Sequence, residues 1–407
     1  MSLFKSWRKE TNYQFLFWAG MINGIGSRIS QIAIFGLLYQ LTGSGMAIGL
    51  VLAIRMIPFL ILAPLGGMLA DRFSKKKLLF TVDLFRIPVV LSLLLVQDSS
   101  NVWLIYLITF VLASLEALYV PTRMSAIPFL VKQDRLIDIN SLEQAMVGFV
   151  LVIGAASGGV IAYYFGLSTS FVLNGITFLL SALIIARLNI SVVSNKEKAK
   201  ASISMSSNQL WSSAALLTFF FIAVTMPLAN GIDNVLVSIY ALEVFEMGEL
   251  GVGILYAALG LGFIFSSMCS NLLKRSLLAL TVLFIAFEGL GHLLLSIVPS
   301  FSSAICVIIS ITFVGGLSNI CIDTVMMKVI PRRKQGTIFG LMQAISNTAL
   351  GLSMASAGFL LEVFTPRELS LLVGVAYIAF TILYSIQFSK LNLVKEKREL
   401  LRGMKSA

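Results

Sequence analysis

Charge is what this 407-residue chain has little of: Asp, Glu, Lys and Arg make up 12% of it, against roughly 25% in a soluble globular protein. Cysteine occurs three times, and Cys269, Cys306 and Cys321 all fall in apolar runs. That excludes a disulfide framework and a zinc site. His292 is the only histidine, on an apolar face, and reads as a packed side chain. With no histidine pair, no nucleophile elbow and no P-loop, the sequence offers no catalytic constellation and no ATPase. Neither an enzyme nor a cofactor or metal is expected.

What the chain has in excess is apolar sequence, 58% of its residues. Twelve stretches are long enough to cross a hydrocarbon core as helices, at roughly 13–40, 46–70, 78–97, 101–122, 140–164, 168–187, 211–241, 250–273, 277–298, 301–327, 337–363 and 368–388. The expected class is an all-α integral membrane protein. Met1 to Tyr13 is polar and a spanning-length run follows, so no cleavable signal peptide is expected.

The net charge of +11 suggests nucleic acid until the charges are placed. Of the 30 Lys and Arg, 26 fall on the side of the spans that holds both termini, one (Arg367) falls on the other, and Arg28, Arg55 and Arg86 lie inside spans. This is the positive-inside distribution of a multi-pass protein with both ends in the cytoplasm. Anionic headgroups are the expected partner of the basic excess, and nucleic acid is not.

The chain repeats itself. Ile139 to Gly159 and Ile338 to Gly358 share S/G-L-x-Q-A and A-S-x-G at an offset of 199, Ala126-Ile127-Pro128 meets Val329-Ile330-Pro331 at 203, and Asn23-Gly24-Ile25 is echoed by Asn230-Gly231-Ile232. Six helices have been duplicated. The expected organisation is a six-helix bundle over 1–188, a cytoplasmic linker over 189–210, a second bundle over 211–390 and a basic cytoplasmic tail over 391–407. Parallel six-helix repeats are a transporter plan, with the substrate site between the halves near the midplane.

The stretch GGMLADRFSKKK, residues 66 to 77, sets charge between spans two and three. Gly66 and Gly67 allow close helix approach. Asp71 is placed to accept hydrogen bonds from a helix N-terminus of the other half, where the macrodipole favours an anion. Arg72 and the lysines reach carboxylates or headgroups.

Here the chain resembles the major facilitator superfamily, whose signature in this loop is G-x-x-x-D-[R/K]-x-G-[R/K]-[R/K]. Gly67, Asp71, Arg72, Lys75 and Lys76 match it, and Ser74 replaces the second glycine. The resemblance implies a twelve-helix fold in two pseudo-symmetric bundles and a loop that latches the halves on the cytoplasmic side in the outward-facing state. The equivalent stretch of the second half, Cys269 to Arg275, keeps only the basic residues. "LYQLTGSGMAIGLVLAIRMIP", "VPTRMSAIPFLV" followed by "INSLEQA", and "VIPRRKQGTIFGLMQ" are similar to the drug-antiporter branch that includes macrolide efflux proteins and siderophore exporters such as the enterobactin exporter. The G-P-x-x-G-G turn of that branch is matched at Gly154, Gly158 and Gly159, with Ala155 in place of the proline.

Ionisable residues inside spans are costly and usually functional or paired. Asp83 and Arg86, three apart near the cytoplasmic end of span three, read as a structural pair or as support for Asp71, with substrate contact as the other reading. Arg28 and Arg55 have no neutralising neighbour on their own helices. They pair with Glu116 or a second-half acid, or they hold an anionic or oxygen-rich ligand. Asn23, Asn319 and Gln343 are the expected polar contacts of a largely apolar substrate cavity, with interhelical hydrogen bonding as the other reading. Asp233, Glu288 and Asp323 are acids in a half without intramembrane Lys or Arg. Carboxyl groups of that kind can carry a proton while sealed from water and release it when the cavity opens. The resemblance ranks Asp233 and Asp323 above Glu288, with Glu116 as the first-half candidate for proton coupling.

The resulting expectation is a monomeric secondary transporter of a bacterial-type cytoplasmic membrane, exporting an amphipathic small molecule (drug, macrolide or siderophore type) by proton antiport and alternating access. A lysophospholipid flippase or other lipid transporter of the same fold is the alternative. An importer needs a polar site of which little is visible. A non-transporting receptor or an intramembrane enzyme is opposed by the repeat and the missing constellation.

Overall fold

A backbone in hydrocarbon must satisfy its own hydrogen bonds, so apolar runs of spanning length fold as helices. The computed structural model describes residues 7–8, 10–42, 45–189, 213–269, 273, 276–391 and 393. Among them are α1 (Thr11–Thr42), α2 (Gly45–Arg72), α3 (Lys75–Leu91), α4 (Val102–Leu130), α5 (Leu136–Phe165), α6 (Leu167–Ala186), α7 (Ala214–Ile239), α8 (Gly248–Ser267), α9 (Leu277–Leu295), α10 (Phe301–Val329), α11 (Gln335–Val363) and α12 (Pro366–Ser389). The described residues contain no strand. Eleven of these helices, some with the short turns that extend them, are long and apolar enough to cross a membrane, and α8 is apolar over the shorter stretch 251–267. Apart from Asn189, Leu391 and Leu393, the expected linker and tail lie outside the described residues, as does most of Cys269 to Arg275.

Local chemistry sets the helix ends. Ser74 caps α3, its Oγ accepting from the Lys77 amide at 3.5 Å, so the serine that stands for a glycine in the loop signature starts the next helix. Thr365 and Glu368 form a capping box at α12, with Pro366 in the first turn, where a missing N–H costs nothing. Gly166, at φ 83°, is the one-residue corner between α5 and α6, a conformation glycine adopts without strain. A π-helical turn, Tyr240–Val244, extends α7.

The duplication read in the sequence has a structural counterpart. A short 3₁₀ turn, Gln133–Arg135, leads into α5, and another, Arg332–Lys334, leads into α11. In the first six helices α1 packs on α5 and α6, α2 on α4, and α3 on α4 and α6. In the last six α7 packs on α11 and α12, α8 on α10, and α9 on α10 and α12. The two sets meet where α2 lies along α11 and α5 along α8.

These two seams are closest at one end. A Cβ added at Gly67 would strike the Gly336 carbonyl oxygen, and one at Gly340 the carbonyl oxygen of Ala63. Across the other seam Gly148 and Gly260 press each other's backbone in the same way. Further along, a Cβ on Gly351 would meet Met56 at an ordinary 3.4 Å, and Gly159 of α5 and Gly253 of α8 would meet nothing within 4 Å. The tight end is also where α2 finishes at Arg72, α3 starts at Lys75 and the Arg332–Lys334 turn lies. It is the basic end of the molecule.

Because the obstructing atoms at Gly340 are backbone and cannot move aside alone, Gly340→Val should push α2 from α11. The expected outcome is a fall of several degrees in the unfolding midpoint of the detergent-purified protein, with Gly159→Ala as the neutral comparison.

Candidate functional site

At the basic end the Asp71 carboxylate crosses the α2–α11 seam. Its Oδ1 accepts from the Gly336 amide at 2.9 Å, and its Oδ2 from the Thr337 amide at 2.7 Å and the Thr337 hydroxyl at 2.8 Å. The donors are the first turn of α11, where helix amides have no internal partner. Gln335 holds that turn in place, its Nε2 donating to the carbonyls of Met327 and Ile330 at 3.0 Å each. Lys75 is buried, donates to the Ala70 carbonyl at 2.6 Å and lies 3.8 Å from Asp71. Lys75 and Arg332, one from each half, also face the Phe129 ring at 5.2 and 5.8 Å. Arg72 is exposed and Lys76 half-buried. On the second seam Asn140 of α5 donates to Thr324 Oγ1 of α10 at 2.9 Å.

Three further ionic clusters lie inside the helix layer. Asp83 of α3 accepts from Asn23 of α1 at 2.8 Å and from Ser181 of α6 at 2.6 Å, with Arg86 3.7 Å away. Asn23 thus makes an interhelical hydrogen bond, the other of the two readings the sequence offered for it. The pair Asp83 and Arg86 is fully enclosed rather than terminal: Arg86 is eleven residues into α3, about 16 Å along it at 1.5 Å per residue.

The second cluster joins Arg123 of α4 to Glu143 of α5 through a two-pronged contact at 2.6 and 3.0 Å, with Tyr13 donating to the same carboxylate at 2.6 Å. The sequence reading ended span four at 122 and left Arg123 in the loop. The helix runs on to Leu130 because Glu143 neutralises the guanidinium and lets it be buried. Asp323 of α10 lies within electrostatic reach of Glu143, next to the Thr324 that Asn140 grips.

The third cluster is in the second half. His292 Nε2 lies 3.2 Å from Asp233 Oδ2, its ring stacks on Tyr377 with centroids 5.2 Å apart, and Tyr377 donates to Asn230 at 2.6 Å. Glu288, one turn before His292 on α9, is buried against Gly315 and within charge range of Asp233. The lone histidine is therefore a neighbour of the acids, which reading it as packing alone did not disclose. The sequence signal was the spacing of Glu288 and His292, four residues apart and so on one helix face.

Arg55 pairs with Glu116 at 3.2 Å, both partly exposed. Arg28 is exposed, donates to Gln31 at 3.1 Å and is within charge range of Arg55, Glu116 and Tyr256 of α8. Arg28, Arg55 and Glu116 thus share one region that faces the second half. Asn319 is exposed and Gln343 half-buried.

The hydrogen bonds of Asp71 bridge the halves at the basic end, and an amide side chain would offer one acceptor atom where two now serve three donors. In Asp71→Asn, spin labels at Phe73→Cys and Arg333→Cys should give a longer, broader distance distribution than in the Asp71 protein carrying the same labels.

The family model of the Major Facilitator Superfamily matches residues 16–356. The putative bacilysin exporter BacE of Bacillus subtilis is 25% identical over 321 residues, 77% of this chain and 79% of that one. The enterobactin exporter EntS of Salmonella choleraesuis is 23% identical over 379 residues, 89% and 85% of the two chains. Macrolide efflux protein A of Streptococcus pyogenes aligns at 24% identity over 38% of each chain, and an uncharacterized MFS-type transporter of Bacillus subtilis, YfiS, at 26% over 40% of this chain and 39% of that one. With these last two the chain aligns over less than half of the relative's length. The crystal structure of the human organic anion transporter MFSD10 superposes with a TM-score of 0.75 at 11% identity, covering 92% of this chain and 99% of that one. A bacterial homologue of the iron transporter ferroportin, in its outward-facing state, gives 0.70 at 15%, covering 93% and 100%. These likenesses at low identity establish the shared fold. The chain belongs to the major facilitator superfamily and is a multi-pass membrane transporter, not an enzyme.

Proposed function

We propose that the protein exports an amphipathic small molecule, of drug, macrolide or siderophore type, across a bacterial-type cytoplasmic membrane by proton antiport and alternating access. The basic end faces the cytoplasm, with both termini on that side, as the distribution of Lys and Arg requires. Exporter is the word in the names of BacE and EntS. The protein works as a monomer, with anionic headgroups around its basic end.

The observation that carries the reading is His292 at 3.2 Å from Asp233, with Glu288 enclosed in the same cluster. The corresponding cluster of the first half holds Arg86, a guanidinium that keeps its proton. The second-half cluster holds an imidazole and two carboxyls, groups that exchange protons. The first-half cluster thus keeps a permanent cation beside Asp83, whereas every ionisable group of the second-half cluster can exchange a proton.

Asp323 supplies the link to the gate. It stands beside Thr324 and near Glu143 on the α5–α10 contact, so a change in its charge alters how the halves meet at the basic end. With that end shut by Asp71, the cavity between the halves opens to the outside. Release of the contacts to Gly336 and Thr337 turns it inward, where substrate enters from the cytoplasm or the inner leaflet. Arg28 and Arg55 give the cavity a positive wall for an anionic or oxygen-rich part of the substrate.

Two measurements test this. In proteoliposomes, Asp233→Asn and Asp323→Asn should abolish accumulation of substrate driven by a pH gradient and leave counterflow exchange measurable; accumulation that persists in both would move coupling to Glu116. Replacing Arg28 or Arg55 with Met should weaken an anionic ligand at least tenfold more than a cationic drug, by competition binding, the loss of roughly one charge-assisted hydrogen bond. Equal losses would make the pair structural.

A further inference from the structure

Arg86 is only partly used by the cluster it belongs to. Its guanidinium is 3% exposed and lies between two rings, Tyr119 at 4.9 Å and Phe178 at 5.4 Å. One nitrogen, Nη1, faces Asn23 at 3.4 Å and Asp83 at 3.7 Å. The other, Nη2, is buried and has no hydrogen-bond partner. An unpaired buried donor is expensive, and more so when it carries charge.

Arg86 lines a cavity. This small, open-mouthed space lies inside the first six helices and is lined by residues of α1, α2, α3, α4 and α6. Two more of its lining groups are buried and without a partner: the hydroxyls of Ser30 on α1 and Thr109 on α4, in residues 2% and 3% exposed. Three helices thus each contribute a lining residue with an unused polar atom. All three can donate, and the guanidinium can only donate. At the mouth stand Arg55 and Glu116, paired with each other and partly exposed.

The charge balance has the same sign. Among the lining residues Arg55 and Arg86 stand against one carboxylate, Glu116, while Asp83, beside Arg86 Nη1, is taken up by Asn23 and Ser181. The unused groups can all donate, so an occupant that only accepts suits them, and a carboxylate has the accepting capacity to meet a guanidinium edge and two hydroxyls.

We propose that this cavity is an anion site, taking a carboxylate or a halide of similar size between Arg86, Ser30 and Thr109, behind the Arg55–Glu116 pair. The anion is either free in solution or the carboxylate end of an amphipathic molecule whose body remains in the space between the halves. The proposal rests on neither export nor proton coupling, since binding alone tests it.

The test is a titration of the full-length detergent-purified protein with sodium acetate and with sodium chloride at constant ionic strength in a methanesulfonate background, read by calorimetry and by the unfolding midpoint. Saturable binding of either anion is expected, at least tenfold weaker in the Ser30→Ala/Thr109→Val double variant, which keeps side-chain volume and charge. Arg86→Gln should lose it altogether. If that variant does not fold, Thr109→Asp replaces it: a carboxylate supplied in the cavity should abolish acetate binding while the protein still folds. Benzoate separates the sources. Competition with acetate at equal or higher affinity assigns the site to the end of an amphipathic carboxylate, and exclusion of benzoate assigns it to a free anion. No saturable binding in the wild type, or equal binding in the Ser30→Ala/Thr109→Val variant, would overturn the proposal and leave the cavity a water site.

Discussion

Hydrocarbon supplies no counterpart for a charge, and most of the intramembrane cations of this protein lie beside an acid of its own. That constraint organises the helix layer. Arg123 meets Glu143, Arg55 meets Glu116, Arg86 meets Asp83 and His292 meets Asp233. The first two each join two helices of the first half, the third lies within α3, and the last joins α7 to α9. Between the halves the polar contacts differ in kind: Asp71 reaches main-chain amides and Asn140 a hydroxyl. Ion pairs hold each half rigid, and contacts that a small displacement can break join the halves.

The duplication carries this logic into both halves and then departs from it. The first-half cluster draws on α1, α3 and α6, and the second on α7, α9 and α12, the corresponding helices of the repeat. Asn23 and Asn230, which mark the echo in sequence, each hydrogen-bond within their own cluster. The nitrogen-bearing side chain beside the acid is Arg86 in one and His292 in the other. The duplicated frame thus carries a guanidinium at one position and an imidazole at the other.

Much of the fold was legible in sequence, because spanning helices announce themselves by length and composition. The offset of 199 residues even carries the turn at Gln133–Arg135 onto the turn at Arg332–Lys334. Helix ends were less legible where a charge was buried with its partner. Arg123 reads as the start of a loop until Glu143 is known to lie beside it, and Glu143 stands twenty residues away on another helix. Asp71 stood out by its spacing from Gly67 and the lysines, whereas Asn23 could not be assigned, since either face of α1 suits an asparagine. His292 was obscured by its solitude. A lone histidine carries no motif, and only the packing of α12 against both α7 and α9 makes it a neighbour of Asp233.

The Asp71 contact has a lopsided genetic consequence. Two of its three donors are main-chain amides, which every residue except proline supplies. Most substitutions at Thr337 would thus leave the contact two-thirds intact, while a change at Asp71 acts on all three hydrogen bonds at once. At Gly336 the limit is space, because a Cβ would run into the Gly67 carbonyl and the Asp71 carboxylate. The bond is therefore encoded almost entirely on the first half of the gene, and the second half contributes only a helix that begins at the right place with a small enough residue. Unequal drift of the two halves after duplication could erase the mirror-image contact without disturbing this one.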